Sequence, residues 1–251
     1  MTKINAYNDI AALRQQELLH GEMKPHRFVE KPMMKNLLPD LSGKRVLLVG
    51  CGTGEESSLL EECGARKIVG IDLSEKSIAL ARKMYPHHDF IVCDMHSLAF
   101  KDATFDFVYS SLSIHYSKEP EKVYREIYRV LKEGGRLLCS LAHPVRWASE
   151  QIVVDDIPVK AIGFSNDKNN KKLIGSYSTF AQHKHNFSRY GTLSFYVGPP
   201  SYHFRLLKEA RFSIEDFVES QAIEECKEYD IYYYERYKEF PQFMAFLARK
   251  K

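Results

Sequence analysis

The sequence of 251 residues lacks several features that would assign it to a common functional class. It has no apolar run of the roughly 18 residues that a membrane-spanning helix needs, and its N-terminus lacks the apolar segment of a secretory signal. Its five cysteines are odd in number and contain no Cys-x-x-Cys pair, so a disulfide framework or a zinc site is not indicated. The net charge of +3 is too small to indicate a nucleic-acid or membrane surface. We therefore expect a cytoplasmic protein with reduced thiols, no nucleic-acid partner and no membrane span.

Strand-like and helix-like segments alternate between residues 44 and 143. The hydrophobic share of 44% suits one large domain with a substantial core. Short apolar runs such as RVLLVG and KIVGID are each followed by a polar, periodic segment, which is typical of a doubly wound parallel sheet covered by helices. The pattern predicts strands over 45–50, 67–72, 88–94, 105–111 and 135–143, and helices over 55–64, 74–85 and 119–135.

The segments on either side of this core have different patterns. Two helical stretches, 6–19 and 26–37, precede the first strand and are interpreted as a lid. A long insertion follows the fifth strand, and insertions of this length inside a compact domain are usually functional or disordered. Within it, residues 172–180 and 191–197 alternate like the two strands of a β-ribbon around a polar turn, AQHKHNFSRY.

The C-terminal region returns to the pattern of the core. A helix over 201–212 and two strands over 213–220 and 240–250 complete the sheet. The tyrosine-rich stretch 228–237 is open to two interpretations, as an interface or as a segment that folds over the site. The predicted class is α/β, with a doubly wound, mostly parallel, seven-stranded Rossmann-like sheet and a β-ribbon insertion after strand 5. We expect four units: an N-terminal helical lid (1–40), a ligand-binding core (41–144), a substrate-cap insertion (145–200) and a C-terminal part of the core sheet (201–251).

Three glycines follow the first predicted strand, in the stretch LLVGCGTGEES. Glycine is used where the backbone turns sharply or approaches a ligand, so Gly50, Gly52 and Gly54 indicate a binding loop. A dinucleotide fingerprint needs Gly-x-Gly-x-x-Gly, and this chain has Glu55 in the last place. Because an acidic residue at the start of a helix opposes a bound pyrophosphate, we expect a ligand without phosphate. S-adenosylmethionine, with an adenosine, a sulfonium and an amino-acid tail, meets that requirement.

Five motifs of the core resemble the class I S-adenosylmethionine-dependent methyltransferases in order and spacing: VLLVGCGTG, IVGIDLS, VCDMHSLAF, FDFVYSSLSIHY and LKEGGRLLCSLAHP. The flanking segments are similar to those of the bacterial branch that acts on small molecules, the methyltransferase type 11 or ubiquinone-biosynthesis-like group. The resemblance implies S-adenosylmethionine as the cofactor and a small molecule as the methyl acceptor.

The resemblance also implies contacts at the carboxyl ends of the strands, where such sheets bind ligands. Asp72 would accept hydrogen bonds from the ribose hydroxyls, and Asp94 would accept one from the adenine amino group. Leu73 and Met95 would lie against the adenine ring. The alternative for both aspartates is a role in a helix cap or a turn.

The other implied contacts concern the amino-acid part of the cofactor. Ser110 and Ser111 would place backbone carbonyls near its ammonium, and Tyr7 or His26 would close over its carboxylate unless they only pack. The implied cofactor-binding residues are Gly50, Cys51, Gly52, Gly54, Asp72, Leu73, Asp94, Met95, Ser110, Ser111, Tyr7 and His26.

One position departs from the family pattern. The family usually has an acidic residue two places before the first glycine, and this chain has Leu48 there. The change removes a carboxylate near the cofactor's ammonium, which keeps open a non-catalytic S-adenosylmethionine-binding regulatory or partner protein. A third hypothesis, a nicotinamide-dependent oxidoreductase, is disfavoured by Glu55.

Methyl transfer requires a base only when the acceptor carries a proton at the working pH. His115, after the fourth strand, and His143, after the fifth, are the candidate bases because histidine titrates near neutrality. Aromatic residues in the insertion favour an apolar, ring-containing acceptor. His183 and His185 fall in the predicted polar turn and are interpreted as solvated, so no metal site is expected. We expect a monomer or a homodimer.

Overall fold

A computed structural model describes residues 3–20, 23–165, 172–187 and 191–251 of the chain. Two helical segments precede the first strand, as the sequence predicts. They are α1 (Lys3–Leu19) and a π-helical turn (His26–Glu30) that continues into α2 (Lys31–Leu37). Among the described residues, none of the helices has the length and apolar character needed to cross a bilayer.

The central sheet forms from the alternating segments of the core. Its elements are β1 (Arg45–Val49), α3 (Glu56–Glu62), β2 (Lys67–Asp72), α4 (Glu75–Met84), β3 (Asp89–Val92), β4 (Phe105–Ser110), α5 (Pro120–Val130) and β5 (Leu131–Ala142). Successive side chains of a strand point to opposite faces, so Leu47 and Val49 pack into one apolar cluster and Val46 and Leu48 into the other. Both faces of β1 are therefore buried, which explains its continuous apolar sequence.

The boundary between α5 and β5 differs from the prediction, in which the helix continued to residue 135. The helix ends at Val130, because Leu131 is extended (φ −71°, ψ 141°), fully buried and paired with Phe105 of β4. Gly134, predicted to close the helix, instead lies within β5 at φ +73°. Pairing with a buried neighbouring strand thus outweighed the helical pattern of this segment.

Short antiparallel strand pairs make up much of the described part of the insertion after β5, each strand pairing with the next one along the chain. Its elements are α6 (Pro144–Trp147), β6 (Glu150–Val154), β7 (Ile157–Ala161), β8 (Gly163–Phe164), β9 (Leu173–Ile174), β10 (Ala181–Phe187) and β11 (Gly191–Val197).

The prediction that residues 172–180 form the first strand of the ribbon was wrong. The strand that pairs with β11 is β10, which occupies most of the predicted polar turn; the remainder of that turn, 188–190, lies outside the described residues. His183 and His185 on the inner side of β10 are half-buried, while Gln182, Lys184 and Asn186, which alternate with them, are exposed. The expectation that these histidines are solvated was therefore wrong. Histidines at the inward positions make the sequence of this strand as polar as that of a turn, so its strand character does not show in the sequence.

The C-terminal region completes the sheet as predicted. Its elements are α7 (Pro200–Glu209), β12 (Phe212–Glu219), α8 (Cys226–Tyr229), α9 (Ile231–Tyr237) and β13 (Phe243–Lys250). The strand order is β12-β13-β5-β4-β1-β2-β3; β13 runs antiparallel to both of its neighbours, β12 and β5, and the remaining neighbouring strands pair in parallel. The predicted α/β class and the seven-stranded, mostly parallel sheet are confirmed.

The tyrosine-rich stretch forms the end of α8 and all of α9, which pack beside the N-terminal helices. Tyr234 and Tyr237 are buried in the same apolar cluster as Phe28. Lys24, just before the π-helical turn, contacts Asp230 at 2.5 Å, and the backbone N–H of Ile223 donates to the carbonyl of Phe28. The stretch thus anchors the turn that carries His26–Glu30.

Candidate active site

The loop after β1 turns at three glycines with positive φ angles. Gly50, Gly52 and Gly54 have φ values of +67°, +51° and +90°, a region that other residues rarely adopt. A Cβ at Gly50 would lie 2.2 Å from the Cβ of Ser113, and one at Gly54 would lie 3.0 Å from the ring of Phe90. A Cβ at Gly52 would meet nothing within 4 Å. Protein packing therefore requires Gly50 and Gly54, whereas Gly52 leaves open space beside the loop.

Asp72 at the end of β2 organises this loop. Its Oδ2 accepts a hydrogen bond from the N–H of Gly52 at 3.0 Å, and its Oδ1 accepts one from Ser74 at 2.8 Å. Burial raises the pKa of Asp72, although these hydrogen bonds oppose the shift. Cys51 ties the loop to β2, because its N–H donates to the carbonyl of Ile71 at 2.8 Å. Burial also raises the pKa of the Cys51 thiol well above its usual value, so the thiol is neutral.

Asp94 follows the neighbouring strand β3 and lies at the same edge of the sheet. Its Oδ1 accepts a hydrogen bond from the N–H of His96 at 2.9 Å and lies 2.6 Å from His96 Nδ1. Although partial burial acts to raise it, the contacts with His96 lower the pKa of Asp94. Leu73 is 39% exposed at this edge, and Met95 is half-buried against the apolar core. These residues do not line the cavity described next.

An open cavity lies against the glycine loop, between the lid, the loop after β4 and the insertion. Its polar end is lined by Arg14, His26, Glu56 and Ser111, and the glycine loop forms its floor through Gly50, Cys51 and Gly52. Its opposite end is aromatic and is lined by Tyr116, Trp147, Phe187 and Phe195.

The polar end contains a buried cluster of His26, Glu30 and Glu56, here called the charge cluster. His26 Nδ1 lies 3.0 Å from Glu30 Oε2, and His26 Nε2 lies 2.9 Å from Glu56 Oε1. Burial acts to lower the pKa of His26, but the two carboxylates outweigh it and raise the pKa to about 10. Burial likewise acts to raise the pKa of Glu56, and the contact with His26 lowers it overall. His26 is therefore an imidazolium at neutral pH.

Glu30 connects this cluster to the sheet. It is fully buried, and its Oε1 accepts hydrogen bonds from the hydroxyls of Ser111, at 2.8 Å, and Ser140, at 2.5 Å. Both ring nitrogens of His26 face carboxylates of the cluster, so neither is directed at a third carboxylate. In this geometry His26 therefore has no N–H group left to donate to the cofactor's carboxylate, which is the role that the family resemblance implies for it.

The loop after β4 separates the two predicted serines. Ser110 is buried, with its Oγ 2.6 Å from the Oγ of Ser113, whereas Ser111 lines the cavity. Leu112 has a φ of +45°, unusual for a residue with a side chain, and its N–H donates to Ser140 Oγ at 3.0 Å. The backbone of Tyr7 lies in α1, but its side chain is outside the described part of the chain.

The two candidate bases are in different surroundings. His115 lines the cavity, with its ring centroid 5.6 Å from that of Phe195, and burial lowers its pKa to about 3. His143 does not line the cavity: it caps α6 by accepting from the N–H of Val145 at 3.2 Å, and its Nε2 lies 2.8 Å from Glu219. Burial lowers the pKa of His143 despite the opposing effect of Glu219. Only His115 is thus in reach of a ligand in the cavity.

Sequence reasoning missed two carboxylates of the site, Glu30 and Glu56. The signal for Glu30 was its position four residues after His26 on a helical turn, where side chains meet. Glu56 was visible only as the second of two glutamates after the glycine loop.

Residues 47–139 match the family model described as a methyltransferase domain. The chain is 36% identical to the demethylmenaquinone methyltransferase of Renibacterium salmoninarum, over 41% of this chain and 43% of that protein. It is 32% identical to the malonyl-[acyl-carrier protein] O-methyltransferase of Pectobacterium atrosepticum, over 39% of each chain. The matched part is therefore about two fifths of the length of these curated relatives.

The whole fold is similar to the crystal structure of an S-adenosylmethionine-dependent methyltransferase from Mesorhizobium loti. The TM-score is 0.72 at 25% identity, over 88% of this chain and 97% of that one. Residues 47–139 therefore form a methyltransferase domain, and the fold around them is that of the S-adenosylmethionine-dependent methyltransferases, whose cofactor is S-adenosylmethionine.

The described residues fit this cofactor. The open direction at Gly52 leaves room for a ligand against the backbone. Each oxygen of Asp72 accepts one of the hydrogen bonds described above, so lone pairs remain for the two ribose hydroxyls. Glu55 and Glu56 at the start of α3 suit a ligand without phosphate, as the sequence indicates.

Proposed function

We propose that this protein transfers a methyl group from S-adenosylmethionine to a small acceptor with an apolar, aromatic body. The observation that carries this proposal is the cavity, which joins the glycine loop to a wall of aromatic side chains from the insertion. A pocket lined mainly by aromatic groups, with few polar groups at one end, is typical of small-molecule sites. In this proposal residues 145–200 act as the substrate cap, 1–40 as the lid, and 41–144 with 201–251 as the cofactor-binding sheet.

The aromatic wall is rigid because its rings pack on one another. The Trp147 ring lies 5.2 Å from Phe195, nearly perpendicular to it, and 6.0 Å from Phe187. The indole N–H of Trp147 donates to the carbonyl of Gln242 at 3.0 Å, which fixes the ring. A flat acceptor held against such a wall would lose little further freedom on reaction.

The cofactor supplies a methyl group on a sulfonium, which the acceptor's nucleophile displaces in line. The protein's part in such a step is to hold the acceptor at the correct distance and angle. His115 is suited to this task, because its low pKa keeps it neutral and its buried Nδ1 has no hydrogen-bond partner among the described residues. A neutral imidazole accepts at one nitrogen, so His115 would orient an acceptor hydroxyl or amine. Its pKa is too low for a strong base, and we assign it orientation.

A second candidate function is a non-catalytic S-adenosylmethionine-binding regulatory or partner protein. Large apolar side chains of the insertion favour it, since they are exposed in a way that is usual for interaction surfaces. The exposed fractions are 68% for Val153, 62% for Ile157, 71% for Phe164 and 77% for Leu173. Such a protein would bind the cofactor without turnover.

We also propose that the reaction takes place in the cytoplasm. All five cysteines are free thiols, which suits a reducing compartment.

Titration calorimetry with S-adenosylmethionine, S-adenosylhomocysteine and NADH tests the proposal first. We expect micromolar binding of the two adenosyl ligands and no binding of NADH. A screen of aromatic and quinone-like acceptors, measured by S-adenosylhomocysteine formation, then separates the two candidates. Turnover that falls at least tenfold in His115→Ala, with cofactor binding retained, supports the enzyme. Failure of the wild-type protein to bind either adenosyl ligand would remove both candidates.

A further inference from the structure

The strand before the glycine loop brings no charge to the cavity. Leu48 lines the cavity and is 1% exposed, in the place where the family usually has a carboxylate. The cofactor's amino-acid part carries an ammonium, and burying that group without a nearby negative charge would be unfavourable. A class I methyltransferase with leucine here therefore needs its counter-charge from another element.

The charge cluster has the required charge. Glu30 Oε1 accepts from two serine hydroxyls and its Oε2 faces His26, an acceptor role that an ionised carboxylate fills. Glu56 faces His26 and accepts at Oε2 from the hydroxyl of Tyr109 at 3.3 Å. Two carboxylates and one imidazolium leave a net charge of −1 in a buried position.

The cluster is also in the required place. His26, Glu56 and Ser111 line the cavity beside Gly50 and Gly52, and Glu30 lies directly behind them. Charge effects are strong in such buried surroundings because the effective dielectric constant is far below that of water. Two cationic side chains also face this region: Lys31 acts electrostatically on Glu56, and Arg14 of α1 lines the cavity.

We propose that the His26–Glu30–Glu56 cluster supplies the negative charge that binds the cofactor's ammonium, in place of the carboxylate missing at Leu48. This inference rests on the proposed function. His26 is a positioning residue, since it keeps two buried carboxylates from repelling each other. Glu30 acts through His26 and Ser111, and Glu56 faces the ligand directly. The lid would thus form part of the cofactor site rather than only covering it.

The test compares three ligands by titration calorimetry on the full chain. S-adenosylmethionine and S-adenosylhomocysteine carry the ammonium, whereas 5′-methylthioadenosine lacks the amino-acid part. We expect Glu30→Gln and Glu56→Gln each to lower the affinity for S-adenosylmethionine and S-adenosylhomocysteine at least tenfold. The affinity for 5′-methylthioadenosine should stay within twofold of the wild-type value. Equal weakening of all three ligands, weakening of S-adenosylmethionine alone, or unchanged affinities would each overturn the inference.

The controls separate charge from folding. Glu126→Gln removes a half-buried carboxylate on α5 that pairs with Arg129 at 2.8 Å, far from the cavity lining, and we expect unchanged affinity for all three ligands. Circular dichroism and thermal melting establish that each variant is folded. If Glu30→Gln fails to fold, Glu56→Gln and Ser111→Ala carry the comparison, because both residues contact the cavity. Wild-type protein that binds no adenosyl ligand would refute the proposed function, while normal wild-type binding with no ligand discrimination in the variants would refute only this inference.

Discussion

Asp72 accepts hydrogen bonds from two backbone N–H groups and lies at the carboxyl end of β2, where we expect the ribose of the cofactor to bind. We predict that Asp72→Ala lowers the affinity for S-adenosylmethionine at least tenfold, because hydrogen bonds to a charged group contribute about 1.5–3 kcal/mol. Calorimetry on the folded variant measures the change. Asp94→Ala is the comparison, since Asp94 is more exposed and already engaged with His96, and its loss should be smaller. Full affinity in Asp72→Ala would contradict the assignment of this residue.

The glycine loop allows stability and binding to be separated at neighbouring positions. We predict that Gly50→Ala mainly destabilises the protein, by about 2 kcal/mol or more, because its Cβ would overlap Ser113. Gly52→Ala should cost only the strain of its positive φ, about 1–2 kcal/mol, and should lower cofactor affinity because its Cβ enters open space beside the loop.

Urea unfolding and calorimetry on both variants make this comparison. Wild-type affinity in Gly52→Ala would show that the cofactor does not lie against this backbone.

At the level of elements, Ser74 joins the lid to the core. Its Oγ caps α4 by accepting from the N–H of Ser77, and it donates to Asn8 of α1 at 2.7 Å. We predict that Ser74→Ala destabilises the protein by about 1 kcal/mol through loss of the cap and also loosens α1. Asn8→Ala should loosen α1 alone. Hydrogen exchange of the α1 amides, with urea unfolding, distinguishes the two effects, and equal protection of α1 in both variants and wild type would contradict this role.

The elements also show which parts of the fold the sequence could predict. The strands β1 and β2 have continuous apolar runs and α4 begins at a serine cap, so these three elements were predicted close to their observed bounds. The strand β10 was missed because two of its inward positions are histidines rather than aliphatic residues; one of them, His185, packs against the ring of Trp147. The end of α5 was missed because a long-range pairing with β4, invisible in local sequence, decided it.

In the candidate site, too, features of the local sequence could be predicted, whereas features that depend on long-range contacts could not. Gly52 and Asp72 were predicted because a loop and a strand end show in the local sequence. Glu30 was not, since its partners Ser111 and Ser140 lie 81 and 110 residues away along the chain.

The stability of the whole molecule should depend on pH through His26. Its pKa rises from 6.5 to about 10 on folding, so folding takes up a proton at this site above pH 6.5. The stabilising contribution is therefore complete below pH 6.5 and is lost as the pH rises towards 10. We predict that the difference in the free energy of unfolding between wild type and His26→Gln narrows over this interval, measured by urea unfolding at several pH values. If the difference in the free energy of unfolding stays constant with pH, the carboxylates of Glu30 and Glu56 do not stabilise the protonated form of His26.

The contact of Glu30 with Ser111 and Ser140 has a consequence for the order of events during folding. These hydrogen bonds join an early segment of the chain to strands made much later, and contacts between distant segments form slowly because a long loop must close first. The polar end of the cavity is complete only when the first segment has docked on β4 and β5. A chain interrupted before β5 would therefore retain Ser111 but lose Ser140, and the carboxylate of Glu30 would have only one of its two serine donors.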